Sequence, residues 1–163
     1  MSCTTEIGNL LSIDGSPISF DGLPEHAFKM QFAKIPMTMF FLQGVDFPGI
    51  DIQTPQFRNP LLDLQEVGEK IIFKPFSINF LVDAGMKNHT EIFNWMNKLV
   101  KSQNIADQVG DALLFINDVK YVRFVDAFPT SLAGMQFRSN QDKVNYLTCS
   151  ATFNFDWYEI LAP

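Results

Sequence analysis

Two cysteines and two histidines are all that this chain of 163 residues offers to disulfide or soft-metal chemistry. Cys3 and Cys149 lie near opposite ends, so neither a disulfide framework nor a cysteine zinc site can be read, and Cys149 falls on an apolar strand position where a buried thiol is expected. His26 and His89 stand far apart, and neither has a partner at the i+4 spacing of a helical metal site. Basic residues are scarce as well. Twelve Lys and Arg against 18 Asp and Glu give a net charge of −6 with no cationic run, which excludes binding that works by neutralising phosphates. No apolar stretch reaches the roughly 18 residues of a membrane span. The opening MSCTTEIGNLL lacks a basic n-region and a long apolar core, so synthesis and folding in a cytoplasm, without membrane insertion, are expected.

Catalytic signatures are missing too. There is no GxSxG elbow, no phosphate-cradling GxxxxGK[ST], no GxGxxG and no calcium loop. The pairs Asp63/Glu66 and Asp46/Asp51 are acids close in sequence, which does not by itself make the opposed carboxylates of a glycosidase. Asn88-His89-Thr90 matches a glycosylation sequon that matters only in a secreted chain. Phe93 and Trp95 are a conceivable base-stacking platform, but no flanking cations support it, and packing of a helix onto a sheet explains them. The expectation is a protein that is not an enzyme and has no cofactor or metal.

What the chain does have is apolar bulk. Hydrophobic residues make up 47% of it and charged ones 18%, with 17 Phe. Its length suits one domain burying about two-thirds of the unfolded surface. So much apolar surface exceeds what a small monomer usually hides, and part of it is expected between subunits.

Periodicity indicates a mainly β fold, a β-sandwich or small barrel of about seven strands, with one flanking α-helix near 88–102. Residues 1–24 read as an N-terminal arm or hairpin and 25–163 as the β domain. Phe28, Met30 and Phe32 alternate with Lys29 and Gln31 as a half-buried strand, and a second strand is expected through Met39 to Gln43. Pro48-Gly49 punctuates the chain before pairing resumes at Ile50–Gln53. Residues 54–69 read as a long irregular loop. From Lys70 to Val82 one face carries Ile72, Phe76, Ile78, Phe80 and Val82, the other Phe73, Ser77, Asn79 and Leu81, with Pro75 as a bend. Asn88 and Glu91 have capping-box spacing at the start of the helix, whose apolar side comprises Ile92, Met96, Leu99 and Val100, flanked by Phe93 and Trp95. Three more strands follow Gly110, the last a sustained alternation from Leu147 to Trp157.

Three segments in this order, FFLQGVDFPGIDI at 40–52, INFLVDAGMKNHTEIFNWM at 78–96 and the aromatic strand ATFNFDWYEI, resemble the tail tube and baseplate tube-like proteins of contractile phage tails. The resemblance covers roughly residues 27–160 and leaves the N-terminal segment unmatched. It implies a structural subunit of the virion tail that forms stacked hexameric rings around a DNA conduit and contacts tail sheath and baseplate proteins, with DNA passing through unbound. Phe57, Arg58, Leu61, Leu62, Asp63 and Leu64 are the implied inter-ring contact, and Asp46, Asp51, Glu66 and Glu69 the acidic candidates for the lumen, where like charge repels phosphate. Ile92, Phe93, Trp95, Met96 and Leu99 are expected to pack the helix. The alternatives are a baseplate hub, a tube-initiator or terminator ring protein of the same fold, a secretion-system-like tube, or a small virion-associated hydrolase.

Overall fold

The computed structural model describes residues 23, 25–58, 63–65, 67–102, 104, 106, 108–117, 120–139 and 145–161. Apart from Leu23, the expected arm at 1–24 lies outside the described residues. The architecture is mainly β with one helix. A 7-stranded antiparallel sheet holds β1 (Phe28–Phe32), β2 (Leu42–Asp46), β7 (Phe76–Leu81), β8 (Gly110–Ile116), β9 (Lys120–Leu132), β10 (Thr148–Asn154) and β11 (Trp157–Leu161). Its order is β1-β8-β9-β10-β7-β2, with β11 also paired to β9. Four short strands, β3 (Ile50–Ile52), β4 (Gln56–Arg58), β5 (Asp63–Gln65) and β6 (Ile71–Phe73), pair outside it.

β9 organises the sheet because its 13 residues exceed what one partner can cover. Residues 120–127 pair with β8, and β11 runs along the other side of that half; residues 128–132 pair with β10. The strand changes partners at Asp126, whose φ of 53° is the left-handed conformation of a bulge. Asp111 holds this kink. Its carboxylate accepts from Arg123 Nε and Nη2 at 2.9 and 2.7 Å and from the Asp126 amide at 3.4 Å, and the Arg123 pKa is raised, first by that hydrogen bond and then by the charge of Asp111.

The core is aromatic. Phe76 lies 4.6 Å from Phe124 and 5.3 Å from Phe153 between ring centroids, and Met30, Phe32, Ile78, Phe80 and Val122 are buried around them. These are the inward positions of the period-two pattern. Cys149 is buried among them, burial pushes its thiol pKa up, and Sγ donates to the Ala133 carbonyl at 3.3 Å.

Four expectations are corrected. The strand expected from Met39 to Gln43 is mostly a 3-10 helix, Pro36–Phe41, with strand geometry only from Leu42. Pro36 suits a first helical turn, where its missing N–H costs nothing. The terminal strand is two strands broken at Phe155 and Asp156, so the inward position passes from Trp157, 44% exposed, to Tyr158, which packs against the core. The face assigned to Lys70–Val82 flips at Pro75. Phe73 packs against the core while Ile72 is exposed.

The fourth correction concerns the helix α1 (Lys87–Lys101), which has no capping box. Met86, at φ 53°, is its N-cap with no side-chain hydrogen bond. Asn88 is the second residue of the helix and fully buried; its Nδ2 donates to the Leu81 carbonyl at 2.6 Å and its Oδ1 accepts from the Asp83 amide at 3.3 Å. Asn88 thereby bolts the helix to the end of β7. Glu91, freed from any capping role, keeps Oε2 buried with no hydrogen-bond partner. Val100 is 87% exposed and does not join the apolar side. Replacing Asn88 by Asp sets a carboxylate oxygen against the Leu81 carbonyl and leaves buried groups unsatisfied. Asn88→Asp is expected to lower stability by about 1–3 kcal/mol in urea unfolding.

Candidate assembly surface

Residues 42–81 form one long hairpin. It is rooted in the main sheet by β2–β7, continues through β3–β6 and ends in β4–β5, with the tip residues 59–62 outside the described set. Asp46 pairs with Ser77 and Ile50 with Phe73, so Pro48 and Pro75 fall opposite each other. The neighbouring pair is hydrogen-bonded, Lys74 N donating to Gly49 O at 3.0 Å. The two prolines therefore occupy a non-hydrogen-bonded pair, where an N–H would point outward. Their presence costs the hairpin no ladder bond and lets it bend at this point.

Above that bend the ribbon leaves the core. Aromatic packing anchors its base: Phe73 lies 5.2 Å from Tyr158 and 5.8 Å from Phe155, and Phe47 lies 5.4 Å from Tyr158. Further out, Ile50, Ile52 and Ile71 share the face of Phe73 and are each about half exposed, and Ile72 is half exposed on the other face. A two-stranded ribbon in water is marginal, and an isoleucine left in water forgoes about 1.5–3 kcal/mol of burial. A chain that keeps four isoleucines on such a ribbon has a surface suited to another protein. Phe47, Trp157 and Ile160 add exposed apolar area, and β1, β2 and β11 each keep one side unpaired among the described residues. Open edges of this kind accept strands from other chains.

The residues to which the sequence points fall along this hairpin and on α1. Phe57 and Arg58 belong to β4 and pair with Leu64 and Asp63 of β5, so the stretch expected as an irregular loop contains a small hairpin; Leu61, Leu62 and Glu66 lie outside the described residues. Asp46 accepts a 2.7 Å hydrogen bond from Ser77 Oγ. Asp51 forms a 2.9 Å ion pair with Lys74, and Glu69 is exposed on the returning arm. Asp46 and Asp51 thus each have a partner of their own and do not form a couple.

On the helix, Ile92 and Trp95 are buried, with Met96 and Leu99 partly buried against the core. Trp95 Nε1 donates to the Gln108 carbonyl at 2.6 Å. Phe93 is 52% exposed and is corrected to the outer side: it stands about 100° round the helix from Ile92, off the 88, 92, 95 stripe. No three His, Cys, Asp or Glu gather as a metal site among the described residues. Sequence patterning does not reveal the β3–β6 isoleucines as a surface, because two-sided exposure leaves no periodicity to detect.

No family model matches the chain. It is 23% identical over 145 residues to the tail tube terminator protein of Enterobacteria phage T4, covering 82% of this chain and 78% of that one. Among solved structures, the cap that terminates the anti-feeding prophage tube matches with a TM-score of 0.68 at 16% identity, covering 94% of this chain and all of that one. The sheath/tube terminator of the extracellular contractile injection system PVC matches at 0.65 with 20% identity, covering 87% and 98%. A chain of the PVC sheath-tube complex matches at 0.67 with 18% identity, covering 90% and 95%. The chain thus has the fold of the contractile tube-like proteins and is similar in sequence to a tail tube terminator.

Proposed function

We propose that the chain is a tube terminator of a contractile tail, a structural protein that closes the tube as a single hexameric ring. The observation that carries this reading is the sequence match to a tail tube terminator over 82% of the chain, where the chain of the sheath-tube complex is matched only in fold. Copies meet through the open strand edges and the β3–β6 ribbon, whose exposed isoleucines become buried at each joint. One side of the ring seats on the last ring of the tube, and sheath proteins surround it. The virion tail is its place, and DNA passes through the ring without being held.

A second reading, a repeating tube subunit, draws on the similarity in fold to the PVC sheath-tube complex. Electron microscopy of the purified protein separates the two. Closed rings that stay single at high concentration, and that decorate one end of preformed tubes, are expected for the terminator. Long hollow tubes grown from this chain alone would overturn it in favour of the repeating subunit, and a persistent monomer would overturn both.

A further inference from the structure

The outer side of α1 borders a polar groove, two adjoining hollows of about 480 and 540 Å³ that share Asn94, Lys98 and Gln108. Lys34 and Glu91 close one end, and Lys101 with Ser102 the other. Neither Lys98 nor Lys101 makes an ion pair among the described residues, although the chain carries a net charge of −6. Both lysines favour the negative end of the helix, which accounts for their type but not for their place beside a groove lined with amides.

We infer that this groove binds an acidic segment of another tail protein, its carboxylates on Lys98 and Lys101 and its backbone on the amides of Asn94 and Gln108. Charge complementarity selects the occupant. Lys98 and Lys101 give the groove a local positive potential that attracts a carboxylate-bearing segment, while the net charge of −6 sets whole copies of the chain against one another at long range. Nucleic acid is the poorer fit, because a polyphosphate is held by a long run of cations and the groove carries only Lys34, Lys98 and Lys101. Position gives an independent reason. Trp95 of α1 connects through Phe153, Phe76 and Phe155 to Phe73 at the base of the hairpin, so the groove and the ribbon lie at opposite ends of an aromatic stack. Here the inference rests on the proposed terminator reading: copies meet at the ribbon and the strand edges, and the helix is left for a different partner.

Carbodiimide treatment of intact purified tails tests it, since the reagent joins a lysine amine to a carboxylate in direct contact. The expected product links the Lys98 or Lys101 peptide to an Asp- or Glu-bearing peptide of a different tail protein. Links only to a second copy of this chain, or none at either lysine while other sites in the tail react, would overturn the assignment. In a parallel measurement the K98E/K101E variant is expected to form the same oligomer as the wild type yet to be at least tenfold depleted from tails, with K98R/K101R restoring occupancy. Full occupancy of the K98E/K101E variant sinks the groove assignment alone, whereas failure of the wild type to form rings sinks the terminator reading. Retention of the wild type, but not the variant, on duplex DNA would reassign the groove to phosphate and overturn the protein partner.

Discussion

Gly68→Ala is expected to leave the monomer folded and to abolish the proposed assembly. A Cβ on residue 68 would overlap the Gln53 carbonyl oxygen and sit 2.6 Å from its carbon. Both are backbone atoms, so no side chain can rotate aside. The close approach follows from the hairpin's register. Ile52 pairs with Ile71 and Gln56 with Gln65, so the returning arm must fit residues 66–70 where the outgoing arm has only 53–55. Gly68 is the middle of that surplus and folds back onto Gln53, next to the bond from Gln53 N to Lys70 O at 3.1 Å. Any β-carbon pushes the arms apart and tears β4–β5 from β3–β6. Because the ribbon lies outside the core, the expected loss of global stability is small, about 1 kcal/mol or less, and near-UV circular dichroism stays native. Light scattering after size exclusion is expected to report a monomer where the wild type reports an oligomer. Gly134→Ala is the control, since no atom lies within 4 Å of its added carbon, and it should assemble normally. An oligomer of wild-type size from Gly68→Ala would remove the distal hairpin from the contact surface.

Elements whose side chains obey one period over several residues are legible in the amino-acid order alone. β1, β7 and β10 bury alternate residues, as Met30/Phe32, Phe76/Ile78/Phe80 and Cys149/Ala151/Phe153 show. The helix is legible from the i, i+4, i+7 spacing of Ile92, Met96 and Leu99. Failures cluster where two local rules compete. Met37 to Phe41 has strand composition, but Pro36 and a tight connection from β1 impose a 3-10 turn. Asn88 has the right spacing from Glu91 for a capping box, yet Asn88 finds stronger partners at the end of β7, and tertiary bonds override the local cap.

The candidate assembly surface is half legible. Its location is only in part: residues 54–69 read as a loop, whereas the excursion from the sheet runs from Pro48 to Pro75. Its form is not: the β4–β5 pairing has three residues per strand, too short to show a period. The acidic candidates for a lumen rest on position along the chain alone. The structure gives Asp46 and Asp51 local partners in Ser77 and Lys74, which a sequence cannot reveal because the partners lie across a hairpin.

Phe76→Ala carries the largest expected loss of stability. Phe76 is 1% exposed and sits in ring contact with Phe32, Phe124, Phe153 and Phe155, which come from β1, β9, β10 and the β10–β11 break. Removing it strips dispersion contacts from four rings held by different strands, and rigid strand pairing limits how far they can close the cavity. The expected cost is about 3–5 kcal/mol. For a domain whose whole margin is about 5–15 kcal/mol, that is enough to bring the monomer near its unfolding threshold. Urea unfolding followed by fluorescence should show the midpoint falling with little change in slope, as expected when stability changes but the unfolded state does not. Phe137→Ala, at a residue 72% exposed, should stay within about 0.5 kcal/mol of wild type. The assembly readout separates this loss from that of Gly68→Ala. In Phe76→Ala, oligomer and fold should fail together along the urea axis, because the hairpin root is anchored on the same aromatic stack through Phe155 and Phe73. Oligomers that outlast the core signal would mean that the ribbon carries its own stability, against the marginal stability expected of two strands alone.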